Sequence, residues 1–161
     1  MVALASQSQL DQRSSKRVYN QLLTSLDDIA SAYALHVEIV PVSVEKNGEA
    51  LRARHGCVAQ RSLQIFGGVI AQPHQAHGSL HVVLHPADIA MVIESGWGER
   101  HVLANESGWW KGWFFAIEEK PPVPENMCFI YAPRNQYDAG IIAKIVKAGV
   151  KFVTGVERRS R

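Results

Sequence analysis

The sequence predicts a single-domain α+β fold, a mainly antiparallel sheet with helices packed on one face. Three observations carry this. The apolar pattern runs in the order helix, strands, helix, strands, helix. Strand candidates lie close enough in sequence to pair as antiparallel neighbours. No internal repeat or linker divides the 161 residues, a length at which one core forms without disulfides or metal.

From Leu10 to Tyr33, Val18, Leu22, Leu26, Ile29 and Tyr33 recur at helical spacing, with Ser8 and Asp11 offering a capping-box start. Val37 to Val44 is rich in β-branched residues and ends at Lys46-Asn47-Gly48, a strand followed by a turn. Residues 49 to 60 follow neither period. Ser62 to Ala71 reads as extended around a Gly67-Gly68 kink. Ser79 to His85 alternates, with Leu80, Val82 and Leu84 on one side and Ser79, His81, Val83 and His85 on the other. Pro86 suits the first turn of a short helix through Ile89, Val92 and Ile93, which Gly96 ends in a left-handed conformation. Trp109 to Ile117 reads as a strand closed by Pro121-Pro122, and Met127 to Ala132 as another. Asn135 and Asp138 then cap a helix whose apolar side is Ile141, Ile145, Ala148 and Phe152, with Lys144, Lys147 and Lys151 opposite and solvated.

Composition excludes several classes. With 17 basic and 15 acidic residues the net charge is +2, far from the basic stripe of a nucleic-acid binder. Arg158, Arg159 and Arg161 form only a short basic tail. The best apolar run, Ile141 to Val150, holds Lys144 and Lys147 and falls short of a membrane span. Two cysteines, Cys57 and Cys128, and an N-terminus unlike a signal peptide fit a reducing, cytoplasmic setting.

The composition is oddest in its histidines: five of the seven fall between His74 and His101. Such a cluster can serve as base, acid or metal site. His81 and His85 on one strand face would stand roughly 13 Å apart, too far to share an ion. His74, His77 and His81 are the alternative ligand set, without the support of a helical HExxH or a cysteine pair. The expectation is therefore no metal. No glycine-rich dinucleotide loop or axial-ligand context points to flavin or haem either. In Gly96-Trp97-Gly98-Glu99-Arg100-His101 the glycines free the loop that carries Trp97, and Arg100 beside His101 sets a cation next to a proton acceptor. A plainer alternative is a loop in which Trp97 plugs the core. Arg134 precedes a helix start, where anions are favoured, or else makes a surface ion pair.

Leu80-His81, then GWGERHVLA from Gly96 to Ala104, then FIYAPRN from Phe129 to Asn135 resemble the fungal luciferase family and its bacterial and fungal relatives. The similarity runs from about Gly78 to Gly155. Gln72-Pro73-His74 stands where the family has a closely spaced histidine pair, and Val102 where it has a proline. Asn105 to Asn126 is longer and more aromatic than the family's segment, and no counterpart of its N-terminal membrane anchor is expected.

The resemblance implies a division into an amphipathic helix over 1–34, a luciferase-like α+β domain over 35–156 and the tail 157–161. It also implies cofactor-independent oxygenation of an enolic, aromatic or pyrone-like substrate, with molecular oxygen as co-substrate. His81, Arg100 and His101 are the expected catalytic residues, and Trp97, Tyr131, Arg134, Trp113 and His74 the expected substrate contacts. Its partner is a small molecule, neither nucleic acid nor membrane, and a homodimer stays open. Two other readings compete: a non-oxidative cyclase, isomerase or ligand-binding protein of the same fold, and an interaction module using the aromatic segment 109–115.

Overall fold

A computed structural model describes residues 12–42, 48–59, 61–64, 66–101, 104 and 123–156. It has the expected α+β class. The cap at Ser8 and Asp11, the turn residues Lys46 and Asn47, the strand 109–117 and the tail 157–161 lie outside the described residues.

Helix α1 spans Lys16–Ala32, a later start than the apolar pattern suggested. Ser15 caps it, its Oγ accepting from the Val18 N–H at 3.3 Å. The preceding residues are held elsewhere: Ser14 donates its N–H to the His77 carbonyl at 3.1 Å and its hydroxyl to the Pro133 carbonyl at 2.6 Å.

Strands β1 (Val37–Val42) and β2 (Gly48–Ala53) pair antiparallel. Strand β2 escaped sequence reading because Gly and Ala are weak strand formers. Its Arg52 sits opposite Glu38 and donates to it at 2.7 Å, a cross-strand ion pair.

The expected extended run 62–71 is instead split. A helical turn, α2 (Arg61–Gln64), precedes Gly67 and Gly68, both left-handed at φ 70° and 69°, and two such residues in a row reverse the chain. Strand β3 (Val69–Pro73) follows. Leu51 pairs with Ala71 and Arg52 with Val69, leaving Ile70 as a bulge residue. The bulge lets Ile70 and Ala71 both bury completely.

Strand β4 covers Leu80–Val83 and helix α3 Pro86–Glu94. His85 is therefore not on the strand face shared with His81, as alternation suggested. Pro86 takes the first helical position, so His85 becomes the cap and its Nδ1 accepts from the Ala87 N–H at 3.2 Å. Gly96 follows the helix at φ 72°, as expected. The next residues, read from sequence as loop, form β5 (Gly98–Arg100). A Cβ on Gly98 would come within 2.3 Å of the Phe129 carbonyl, so only glycine permits β5 to lie this close to β6 (Met127–Ile130).

The sheet order is β1-β2-β3-β4-β6-β5, with every neighbouring pair antiparallel. Strand β6 thus inserts between β4 and β5, which run parallel to each other, as in a split β-α-β unit.

Helix α4 (Gln136–Thr154) is capped by Asn135, whose Oδ1 accepts from the Asp138 N–H at 2.9 Å. Its fully buried side is Ala139, Ile142, Val146, Val150 and Val153, one position round from the expected stripe; Ile141, Ile145, Ala148 and Phe152 are half-buried. Gly149 brings the helix onto the sheet, since a Cβ there would lie 2.8 Å from the Val83 carbonyl and 3.3 Å from Ile70 Cγ2. The core between helices and sheet includes Leu22, Leu26, Leu80, Val82, Ile130 and Ile142. Among the described residues no helix is long and apolar enough to cross a membrane. Asn135→Ala should cost about 1 kcal/mol and lower the melting temperature by about 2–4 °C; an unchanged melting curve would deny the cap this role.

Candidate functional site

Alternation along the strands separates two chemistries. Leu80, Val82, Cys128 and Ile130 point into the helix-side core, so His81 and Phe129 project from the opposite face. Register aligns Gln72, His81, Phe129 and Glu99 in one row across β3, β4, β6 and β5. Phe129 is fully buried yet absent from the helix-side core, as this placement requires. Two residues further along their strands, His101 and Tyr131 take the same face.

Three histidine rings meet there. His74 leaves the end of β3 and returns through a tight turn, its carbonyl accepting from the Gly78 N–H at 2.7 Å and its N–H donating to the Ser79 carbonyl at 2.8 Å. This hairpin brings His74 Nε2 within 3.1 Å of His81 Nδ1. On the other side the His81 and His101 ring centroids are 4.6 Å apart at 82°. Phe129 lies 5.6 Å from His81 and 6.2 Å from Tyr131, so the aromatic rings continue the cluster along β6.

Burial disfavours charge on two of the three rings, His81 and His101. His101 is 5% exposed and His74 7%. Burial, reinforced by the neighbouring His74 and His101 rings, pushes His81 down from 6.5 to about 3. Burial and then His74 push His101 down to about 4. Both imidazoles are uncharged at neutral pH. One proton lies between His74 Nε2 and His81 Nδ1. When His81 holds it, His81 Nε2 is a bare acceptor; when His74 holds it, His81 Nε2 carries the N–H. That Nε2 is buried and has no hydrogen-bond partner, so when the proton stays on Nδ1 it is free to take another.

The other expected site residues are placed differently. Arg100 precedes His101 and so leaves β5 on the opposite side; it is exposed, with Nη1 3.5 Å from the Glu125 carbonyl. Arg134 is ion-paired, its Nε donating to Asp138 Oδ2 at 2.8 Å, and this guanidinium holds the Asp138 carboxyl below its ordinary range. Trp97 packs against the helix-side core in a groove with Met91 and Ile145. Trp113 lies outside the described residues. Sequence reasoning missed Phe129, although Tyr131 two residues on carried the signal. It also missed Ser79, 1% exposed with an unpartnered hydroxyl.

Among the described residues no three His, Cys, Asp or Glu side chains are arranged to hold a metal ion. Of the alternative ligand set, His74 and His81 hydrogen-bond to each other, and His77 Nδ1 is buried without a partner. Burial drives the Cys128 thiol up to about 11, so it is no thiolate ligand or nucleophile at neutral pH.

Residues 67–149, just over half of the chain, match the family described as Luciferase domain. The luciferase of Neonothopanus nambi is 34% identical over 86 residues, which is 53% of this chain and 28% of that protein. Those of Armillaria gallica and Armillaria mellea are each 33% identical, with the same coverage. The chain therefore spans less than a third of the length of these curated relatives. No solved structure matches it. His74, His81 and His101 all fall within the matched residues, and the chain belongs to the luciferase domain family.

Proposed function

We propose that the chain is a small-molecule enzyme in which His81 ionises an enolic or pyrone-like substrate, and that the resulting enolate reacts with molecular oxygen without a bound cofactor. The observation that carries this reading is the His81 Nε2 atom, buried and uncommitted beside two further histidines. Kinship with fungal luciferases supports the oxygen-dependent half.

A neutral imidazole with so low a proton affinity is a poor base toward water. It becomes a competent one when the proton donor leaves an anion behind. Transfer from an enol O–H to His81 Nε2 creates an imidazolium and an enolate together, and in a buried site each offsets the other's desolvation. The hydrogen bond to His74 fixes the ring and spreads the new charge. Half-buried Tyr131 supplies aromatic surface for a flat substrate, with Phe129 packed behind it. Arg100 leaves β5 on the opposite side and Arg134 is committed to Asp138, so the imidazolium formed at His81 balances the enolate.

The test is oxygen consumption by the purified chain with a panel of hydroxypyrones. Uptake that tracks substrate loss is expected. Turnover that continues at full rate under strict anoxia would favour a cyclase or isomerase built on the same histidines, and no turnover on any member would reject the substrate class.

A further inference from the structure

The helix layer carries a second feature, unrelated to the histidines. Between α3 and α4 runs an apolar groove of about 230 Å³, formed by Leu84, Met91, Val92, Trp97, Ile141 and Ile145. Met91 stands 65% exposed at its mouth. Beside it a second groove of about 300 Å³ is lined by Tyr33, Lys144, Lys147, Ala148 and Lys151. The two share Lys144 and Ala148, so an apolar trough adjoins a cationic one.

The charge in the second groove is unbalanced. Its lining holds three lysines and no carboxylate, and among the described residues none of the three lysines makes a salt bridge. Solvated lysines are common on helices, but here they adjoin an exposed hydrophobic trough on a chain of net charge only +2. Asp88 is the one carboxylate lining the apolar groove and none lines the second, so an anionic head group is favoured at the lysines.

We infer that the paired grooves bind a free single-chain anionic amphiphile, its alkyl tail between α3 and α4 and its head group at Lys144 and Lys147. At about 230 Å³ the apolar groove suits a single short alkyl chain, for which octyl is the probe length. Each methylene buried on the way to that length should tighten binding about fourfold, and longer chains should gain little more.

Calorimetric titration of the full chain with octanoate, octan-1-ol and octylammonium, all below micelle-forming concentrations, tests the assignment. Octanoate should bind saturably at one per chain, about tenfold tighter than octylammonium, since each surface charge pair contributes at most a fewfold. The double variant Lys147→Glu with Lys151→Glu changes only exposed side chains that line the cationic groove alone, and should abolish that preference while leaving octan-1-ol within about twofold. Equal affinity for the two charged probes, or an octanoate affinity indifferent to the double variant, would overturn the inference. So would binding to vesicles of phosphatidylglycerol without binding of free octanoate, which would make the face a membrane-docking surface. Because the readout is binding, failure here leaves the oxygen chemistry of the histidine face untouched.

Discussion

Replacing His81 with alanine should lower turnover of an enolic substrate by roughly 10²–10⁴-fold, the usual contribution of a positioned general base. The fold should survive, because His81 is uncharged and its only side-chain hydrogen bond among the described residues is to His74. His74→Ala should cost less, about tenfold, because His74 orients the His81 ring without itself taking the substrate proton. The pH profile separates a base from a packing residue. An ordinary histidine base loses kcat/KM as pH falls through 6.5. With His81 at about 3, kcat/KM corrected for substrate ionisation should stay level from pH 8 to about 5. A wild-type rate in His81→Ala at wild-type melting temperature would remove His81 from the mechanism.

The sequence exposed His81 because a clean two-residue period surrounds it, and that period holds for Leu80 through Val83 in the folded chain. It failed at His85, where Pro86 converts the strand end into a helix cap. Strand β5 has only three residues, too few for a period to register between glycines. The loop reading that resulted let Arg100 and His101 look like one functional pair, whereas a strand sends adjacent side chains to opposite faces. The contact between His74 and His81 depends on hairpin register, and that of His101 with His81 on the insertion of β6 between β4 and β5. Both are long-range pairings that local patterns do not encode. In α4 the apolar residues run nearly all round one half of the helix, so periodicity alone could not choose between the Ile141 and Ile142 lines. Tertiary packing through Gly149 made the choice.

Stability should fall steeply on acidification between pH 6.5 and about 4, ahead of the carboxylates. Unfolded, His101 takes up a proton near its ordinary 6.5; folded, it resists until about 4. Over that window the unfolded chain binds more protons than the native one, so stability is complete above pH 6.5 and is lost as pH falls. For His101, 5% exposed, the loss is on the order of 3 kcal/mol at 1.36 kcal/mol per pH unit. His81 acts in the same direction over a window reaching about 3. Glu38 and Asp138 are held below their ordinary values of 4.5 and 3.8, chiefly by hydrogen bonds from Arg52 and Arg134 respectively. A carboxylate of lowered proton affinity gives up its contribution only as pH drops below those ordinary values. The slope between pH 6.5 and 5 therefore belongs to the histidines. Urea unfolding at half-unit steps from pH 7.5 to 4.5 should show it, and His101→Gln, which cannot titrate, should reduce it by about half, His81 keeping the rest. A variant whose stability declines as steeply as the wild type would mean that His101 is charged, or already solvated, in the native protein.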